Sequence, residues 1–476
     1  MVGVALFLTL VVASVPQVPQ NTAARAAAPA AAPAAATAAD TVIVRLDDMV
    51  QTAMQRNLRL RAAAAEADGA RAYGTIARSR FDPVLNVGGD TETGGVGGQV
   101  VGLLPTGASY LMGSVAPTSL PGEPLYPNAL VATVSQPLLR GFGFYSARSA
   151  IRATDAGIAA ARARLAWTRA EVAAMVRVSY AMLIERHRQE AIASGSLRRA
   201  QELRDAYTEL RALDKITRVD LNTAQLGVAS RTATLLEAQR GRREAEDALR
   251  FAVYGADAAA SIARGDAVLF PVDTAINVPM LPSVDVATRT ALDRRADIDA
   301  AREEAARSRY QVQFARNALL PTLNLYAAFT STLTGAPVGG SLVTRETRLQ
   351  DQSFGVMFSR PLVNSGARAE RERAVAAQSQ ADITLADAEN TVRADVRAAH
   401  RDIEVTRQQV EMATEASRLA REQYKDGVDR LNLGLTDIFR VLQYDEQVAR
   451  MESLEASARL ALSTAVARYR LAVGEE

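Results

Sequence analysis

The chain contains no cysteine, two histidines (His187 and His400) and two lysines (Lys215 and Lys425). Without cysteine there is no disulfide, thiolate metal site, thiol nucleophile or lipid-modified N-terminal cysteine. Two imidazoles leave little room for metal or acid–base chemistry built on histidine. Aromatics make up 5% of the 476 residues, few for an ordinary globular core, and alanine is abundant. That pairing favours long, closely packed helices over a bulky interior. The net charge of +2 gives no global reason to bind nucleic acid, and the basic side is almost all arginine. Beyond the first residues no stretch approaches 18 consecutive apolar residues, so no transmembrane helix is expected in the mature chain. Any contact with a membrane then falls to strands or to the surface. HExxH and GxSxG are absent, no glycosidase-type carboxylate pair is discernible, and Gly94–Gly98 lacks the Gly-Lys-Ser/Thr ending of a phosphate loop. That glycine run reads as a flexible outer loop. No enzyme, cofactor or metal site is expected.

What is present begins with an export signal. Val2 to Val15 is nearly all apolar, too short to span a bilayer as a helix but suited to the core of a signal peptide. No basic residue precedes it, a departure from the usual pattern. At roughly 100–200 residues per domain, length alone suggests two to four domains. The expected layout is a signal peptide over 1–24 and an Ala/Pro-rich linker over 25–44. A first repeat over 45–254, a connecting segment over 255–283 and a second repeat over 284–476 follow.

The repeat is the most informative feature. Ala77-Arg-Ser-Arg-Phe-Asp-Pro83-Val-Leu85-Asn86 matches Ala315-Arg-Asn-Ala-Leu-Leu-Pro321-Thr-Leu323-Asn324 at an offset of 238. Ser135-Gln-Pro137-Leu138 and Ser359-Arg-Pro361-Leu362 match at an offset of 224. Two matches in the same order point to a chain-wide duplication. Each half starts with a helical segment, Leu46 to Arg80 and Val284 to Leu320, ending before a proline-led strand. Strands are expected near 83–92 and 129–137, then near 321–330 and 353–361. They alternate: Leu130, Ala132 and Val134 oppose Thr133 and Ser135, and Phe354, Val356 and Phe358 oppose Ser353 and Gly355. One face is apolar and one polar, over the length of a tilted transmembrane strand. The Gly/Pro-rich stretch between the two strands of each half reads as a loop.

After each second strand comes a very long helical pattern. Phe144 to Leu213 holds no proline, and Ala367 to Asp426 holds neither proline nor glycine. Each makes a rod of about 90–100 Å. Apolar residues recur at heptad spacing (Ile151, Ile158, Leu165, Val172; Val396, Ile403, Val410), which calls for coiled-coil support. Each rod then turns and returns, over Val219–Tyr254 and Thr436–Val473.

Four amphipathic strands cannot close a barrel. Open edges leave backbone N–H and C=O groups unpaired in hydrocarbon, so several copies must share one.

This ordered set resembles the TolC-like outer membrane efflux protein family over roughly Leu46 to Gly474. It rests on the paired motifs above and on two return-helix signatures, Thr217-Arg-Val-Asp220-Leu221-Asn-Thr-Ala224 and Gly434-Leu-Thr436-Asp-Ile-Phe439-Arg-Val441-Leu442. Asn57 and Arg295-Ala-Asp297 resemble the segments that open each half of that family. The resemblance implies a mainly α chain with a small β part: four transmembrane strands per copy, a trimeric twelve-stranded barrel and a twelve-helix periplasmic tunnel. It implies an exit duct in the outer membrane of a Gram-negative-type cell. The partners would be further copies of itself, outer-membrane lipid, a periplasmic adaptor and an inner-membrane exporter. Two rivals are a stand-alone diffusion porin and a soluble periplasmic coiled-coil scaffold.

Function in such a duct is steric and electrostatic, so candidate residues lie where the rods turn. Asp220, Tyr424, Arg430, Asp437 and Arg440 are candidates for the periplasmic aperture. Asp220 and Asp437 suit the positive end of a helix dipole, as caps or as rings of three carboxylates in a trimer. The family's two aspartates three apart are replaced here by Arg440 and Gln443 when Gly434 is aligned. Lys215 and Lys425 are candidates for adaptor contact. Tyr326, Phe329, Phe354 and Phe358 are candidates for a lipid-facing aromatic girdle, or for packing where sheet meets helices. His187 and His400 read as solvated.

Overall fold

A computed structural model describes residues 41–475 apart from 91–94, 118–127, 214, 256–267, 273–277, 279 and 338–343. The expected signal peptide, and the expected linker up to residue 40, lie outside the described residues. In chain order the elements are β1 (Thr41–Val44), α1 (Leu46–Arg56), α2 (Leu58–Ser79), β2 (Val84–Asp90), β3 (Gly95–Leu103), β4 (Ser109–Pro117), β5 (Asn128–Pro137), α3 (Gly143–Ala212) and α4 (Arg218–Tyr254). Then come β6 (Val268–Pro271), α5 (Val284–Arg294), α6 (Ala296–Ala318), β7 (Thr322–Pro337), β8 (Thr344–Ser359), α7 (Ser365–Asn432) and α8 (Ile438–Val473). The fold is mainly helical, with a smaller sheet.

The rods are continuous helices of 70 and 68 residues, about 100 Å long. The heptad residues Val172, Val396 and Ile403 are buried from within the chain, while Ile383, Val405, Met412 and Leu419 of α7 stay exposed. Val172, Val176, Tyr180 and Leu183 of α3 pack on Ala245, Leu249 and Val253 of α4. Val392, Val396 and Ile403 of α7 pack on Leu462, Val466 and Tyr469 of α8 and on Ala287 and Ala291 of α5. Small residues allow close approach: the ring of Tyr444 fills the place a side chain at Gly427 would take. Among the described residues no helix is long and apolar enough to cross a membrane.

The two halves share an order of elements. Helices α1 and α5 begin and end 238 positions apart, and each is followed by a one-residue break. The two breaks are stabilised differently. Asn57 caps α2 by accepting from the N–H groups of Arg59 and Leu60, and its Nδ2 donates to Ala252 O at 2.9 Å. Arg295 instead pairs with Asp297 and Asp395 and lies 4.7 Å over the ring of Trp167.

The main sheet corrects the strand count. Among the described residues it has six strands in the order β2-β3-β4-β5-β7-β8, every neighbouring pair antiparallel. The stretch read as a loop between the first pair of strands holds the hairpin β3–β4, and Gly95–Gly98 is strand rather than flexible loop. Strands β7 and β8 run 16 residues each, longer than expected. The register puts Leu85 and Val87, Val100, Met112, Leu130 and Val134, Leu325 and Phe329, and Phe354, Val356 and Phe358 on one face. Many of these are exposed, among them Leu85 (67%), Met112 (58%) and Phe354 (76%). The other face is mixed, with Asn86, Gln99, Thr133, Asn324 and Ser353 beside Leu111 and Val131.

A second, two-stranded sheet pairs β1 with β6 in parallel. The last four residues of the expected linker are therefore structured, with Val44 buried and its carbonyl accepting from Tyr180 Oη at 3.0 Å. The histidines are not solvated. His187 Nε2 donates to Leu269 O at 2.7 Å, and its ring stands edge-on to Phe270. His400 Nε2 donates to Pro282 O at 3.3 Å, and its ring stands edge-on to Tyr469. Both pin the connecting segment to a rod.

The sheet gives one direct test. Gly355 lies opposite Tyr326, whose ring covers it so closely that a side chain there would overlap it. Gly355→Val is expected to destabilise the sheet by about 1–3 kcal/mol, read as a lower denaturation midpoint. Adding Tyr326→Ala should restore part of that loss.

Candidate functional site

The hairpin ends farthest from the sheet are built alike. At the end of α7, Gly434 takes a left-handed φ of 71°. Its N–H donates to Leu431 O at 3.0 Å and that of Leu435 to Arg430 O at 2.8 Å, the paired bonds of a Schellman termination. At the end of α3 the N–H of Lys215 donates to Leu210 O at 2.9 Å, the equivalent outer bond.

Both return helices are capped. Thr217 and Asp220 form a capping box: Thr217 Oγ1 accepts from Asp220 N at 3.2 Å, and Asp220 Oδ2 accepts from Thr217 N at 3.0 Å. Asp437 is itself the N-cap of α8, one residue before the helix, and accepts from Arg440 N at 2.8 Å. Its structural counterpart is Thr217, while Arg440 stands where Asp220 does.

Under these caps the two hairpin ends meet. Buried Tyr207, Ala224 and Ile438 join Leu221, Leu431 and Leu442 in one apolar cluster. Tyr207 also senses both carboxylates. Burial raises its phenol above the usual value of 10.0, and the charges of Asp220 and Asp437 raise it further. The structure thus brings Asp220 and Asp437 to one group. Arg430 and Arg440 are exposed, as are Lys215 in the first turn and Lys425 on α7.

Tyr424 belongs to a different layer. It lies under Arg199, whose guanidinium is 5.6 Å from its ring centre. Burial and the charge of Asp445 raise its phenol, and Arg199 opposes them. Asp445, 3% exposed, is the centre of this layer. Its Oδ1 accepts from Arg199 Nε at 2.6 Å, and its Oδ2 accepts from Arg231 Nε at 2.8 Å and Ser196 Oγ at 2.7 Å. Arg231 Nη2 also donates to Leu442 O at 3.1 Å. One carboxylate of the second hairpin is thereby held by two helices of the first.

Farther along α8, Glu455 is also buried, beside Arg459, Arg188 and Arg421. Burial pushes its carboxyl up, but Ser417, Arg459 and Arg188 more than offset this and hold it below the usual range. Between these layers Ser453 Oγ donates to Gln189 Oε1 at 2.8 Å.

Sequence reasoning missed Tyr207, Ser196, Arg199, Arg231 and Asp445. A signal existed: Ile438, Val441, Asp445, Val448 and Glu455 lie on one buried stripe of α8, so two acids sit at coiled-coil core positions. In the sheet, the register separates the aromatic candidates. Phe329, Phe354 and Phe358 share the apolar face, whereas Tyr326 pairs with Gly355 on the opposite one. The four cannot form one girdle, because neighbouring residues of a strand point to opposite sides.

Comparison with known proteins agrees with this architecture. Residues 49–253 and 287–475 match the profile of the family described as outer membrane efflux protein. No curated protein matches the chain. Among solved structures it resembles the outer-membrane channel OprN at 20% identity, covering 90% of each chain with a TM-score of 0.67. It also resembles the Campylobacter jejuni CmeC outer membrane channel (18% identity, 90% of this chain and 85% of that one, TM-score 0.65). A third likeness is to VceC of Vibrio cholerae (17% identity, 90% and 96%, TM-score 0.66).

Two measurements test the site. Asp445→Asn leaves Arg231 and Arg199 facing no charge in a buried layer and should cost about 3–5 kcal/mol, read as a lower unfolding midpoint. Tyr207, followed by phenolate absorbance, should titrate above pH 10, and Asp220→Asn and Asp437→Asn should each lower its midpoint. Because the phenol's pKa is raised on folding, the stability it contributes is intact below pH 10 and lost as pH rises through the folded value.

Proposed function

Since this chain belongs to the outer membrane efflux protein family, we propose that it is the passive exit duct of a multi-component export system. Cargo enters from an inner-membrane exporter through a periplasmic adaptor and leaves across the outer membrane. The working form in this reading is a homotrimer, each copy lending strands to one barrel and rods to one periplasmic tunnel.

One observation carries the coupling. The hairpin ends, a full rod length from the sheet, present large apolar side chains to solvent: Leu213 and Val219 on the first, Leu433, Leu435 and Phe439 on the second, each at least 60% exposed. Exposed apolar surface concentrated at one place marks an interaction site. A diffusion porin needs only short periplasmic turns, so rods ending in sticky tips favour a docked partner. The exposed apolar face of the sheet favours lipid over a soluble scaffold.

In a trimer Asp220 and Asp437 would each recur three times around the tunnel end. Rings of carboxylates of this kind bias passage toward cations, with Arg430 and Arg440 tempering them. Lys215, in the turn of the first hairpin, would meet the adaptor directly, and Lys425 lies about 10 Å up its rod.

The double variant Leu435→Asp, Phe439→Asp should assemble normally in the outer membrane. It should lose adaptor capture after mild cross-linking in cells, and lose export with it. Export at the unaltered rate would overturn the docking role, and recovery of the unaltered chain only in the soluble periplasmic fraction would overturn the duct.

A further inference from the structure

The hairpin β3–β4 is the part of the sheet that neither the repeat nor the family resemblance anticipates. It is fully built into the ladder. Val84 to Asp90 pairs with Gly95 to Val101, Gly95 to Leu103 with Ser109 to Pro117, and Ser109 to Val115 with Ala129 to Ser135. Strand β2 therefore never meets β5, and the hairpin holds them apart by two strands.

Three features mark it as a structural part of the sheet rather than a loop lying on it. Its strands have nine residues each, about 30 Å, the length that spans a hydrocarbon core. Its face alternation continues that of its neighbours, since Val100 stands beside Leu85 and Met112 beside Ala132 on the apolar side. Its turn is anchored at the helical end of the sheet. Thr106 O accepts from Gly143 N at 3.2 Å and from Gln136 Nε2 at 3.3 Å, and Ala108 is buried. Gly107 there takes φ 89° and sits so close to the carbonyl of Gly141 that no side chain would fit.

The glycines fit the same account. Tyr110 lies across Gly102 on the opposite strand, and Gly113 faces Gln99 closely. A large side chain laid over a cross-strand glycine restores the packing that glycine lacks.

We propose that β3 and β4 are two additional membrane strands, so that each copy contributes six and a ring of three closes a barrel of 18 strands, three times six. This rests on the outer-membrane duct reading above. The open edges are then β2 and β8, and the occupant of each is the opposite edge of another copy. The consequence is a wider exit. Twelve helices with axes about 10 Å apart make a ring of about 120 Å circumference. Eighteen strands about 4.8 Å apart and tilted about 40° make about 110 Å, against about 75 Å for twelve. The barrel would then be about as wide as the tube that feeds it.

The absence of cysteine makes the test clean. Single substitutions Val100→Cys, Met112→Cys, Gln99→Cys and Val356→Cys in the full chain, reconstituted in lipid vesicles, are labelled with a nitroxide. Collision with oxygen, which partitions into lipid, is compared with collision with a water-soluble nickel chelate. Labels at 100, 112 and 356 should favour oxygen several-fold, and the label at 99 the chelate. If 356 favours oxygen while 100 and 112 favour the chelate, the hairpin is not part of the membrane wall and the proposal fails alone. If 356 also favours the chelate, the membrane reading fails with it. End-on electron microscopy of the unlabelled trimer decides the count independently: a twelve-stranded ring overturns the proposal, and a ring about 1.5 times wider supports it.

Discussion

A helix of about seventy residues holds its shape in water only where its apolar stripe is covered along the whole length. Everything else in this chain follows from meeting that demand. Two such rods would need long partners, and each is given a return helix, α4 or α8, of about half its length. The remaining half packs in part on the short pairs α1–α2 and α5–α6, which also deliver the chain to the strands. Alanine at the contacts lets all of these approach closely, which is why so few aromatic residues suffice.

Where the two hairpins meet, the covering changes character. A purely apolar seam tolerates sliding, because one aliphatic contact replaces another at little cost. Asp445 removes that freedom. Its two oxygens are committed to Arg199, Arg231 and Ser196, and a shift of one helical turn would leave charges buried without partners. Farther along, Glu455 reaches Arg188 of α3 at 3.8 Å and repeats the device over a longer distance. Buried polar layers here set the register of α8 against the first hairpin, and the apolar layers supply the adhesion. The capped ends beyond them can then differ in detail, with a capping box on one and a single Asp on the other, without altering how the hairpins align.

Much of this was legible from residue patterns. The rods showed as long stretches free of proline, and the offset of 238 placed α1–α2 and α5–α6 in register. The strand pairs flanking each loop showed by alternation. The hairpin β3–β4 did not, because Gly95, Gly97, Gly98 and Gly102 suppress strand propensity, and the cover that Tyr110 gives Gly102 exists only across the ladder. The outer parts of β7 and β8, rich in threonine, arginine and glutamine, likewise read as loop. At the site, Asp220 and Asp437 were found because caps are local. Tyr207 and the Asp445 layer were missed because their partners lie on other helices, far away in the sequence.

The order of strands also sets an order of events. Strands β2 to β5 form a local meander that can close as soon as it is made. But β5 pairs next with β7, so that Asn128 meets Leu333 and Pro137 meets Asn324, and α3 and α4 lie between them in the chain. The parallel pair β1–β6 likewise joins Thr41 to Val268 across the entire first half. Both are contacts of high sequence separation, which form late and slowly. The first half therefore waits, with a finished meander whose next edge is bare, until the second half arrives to complete it.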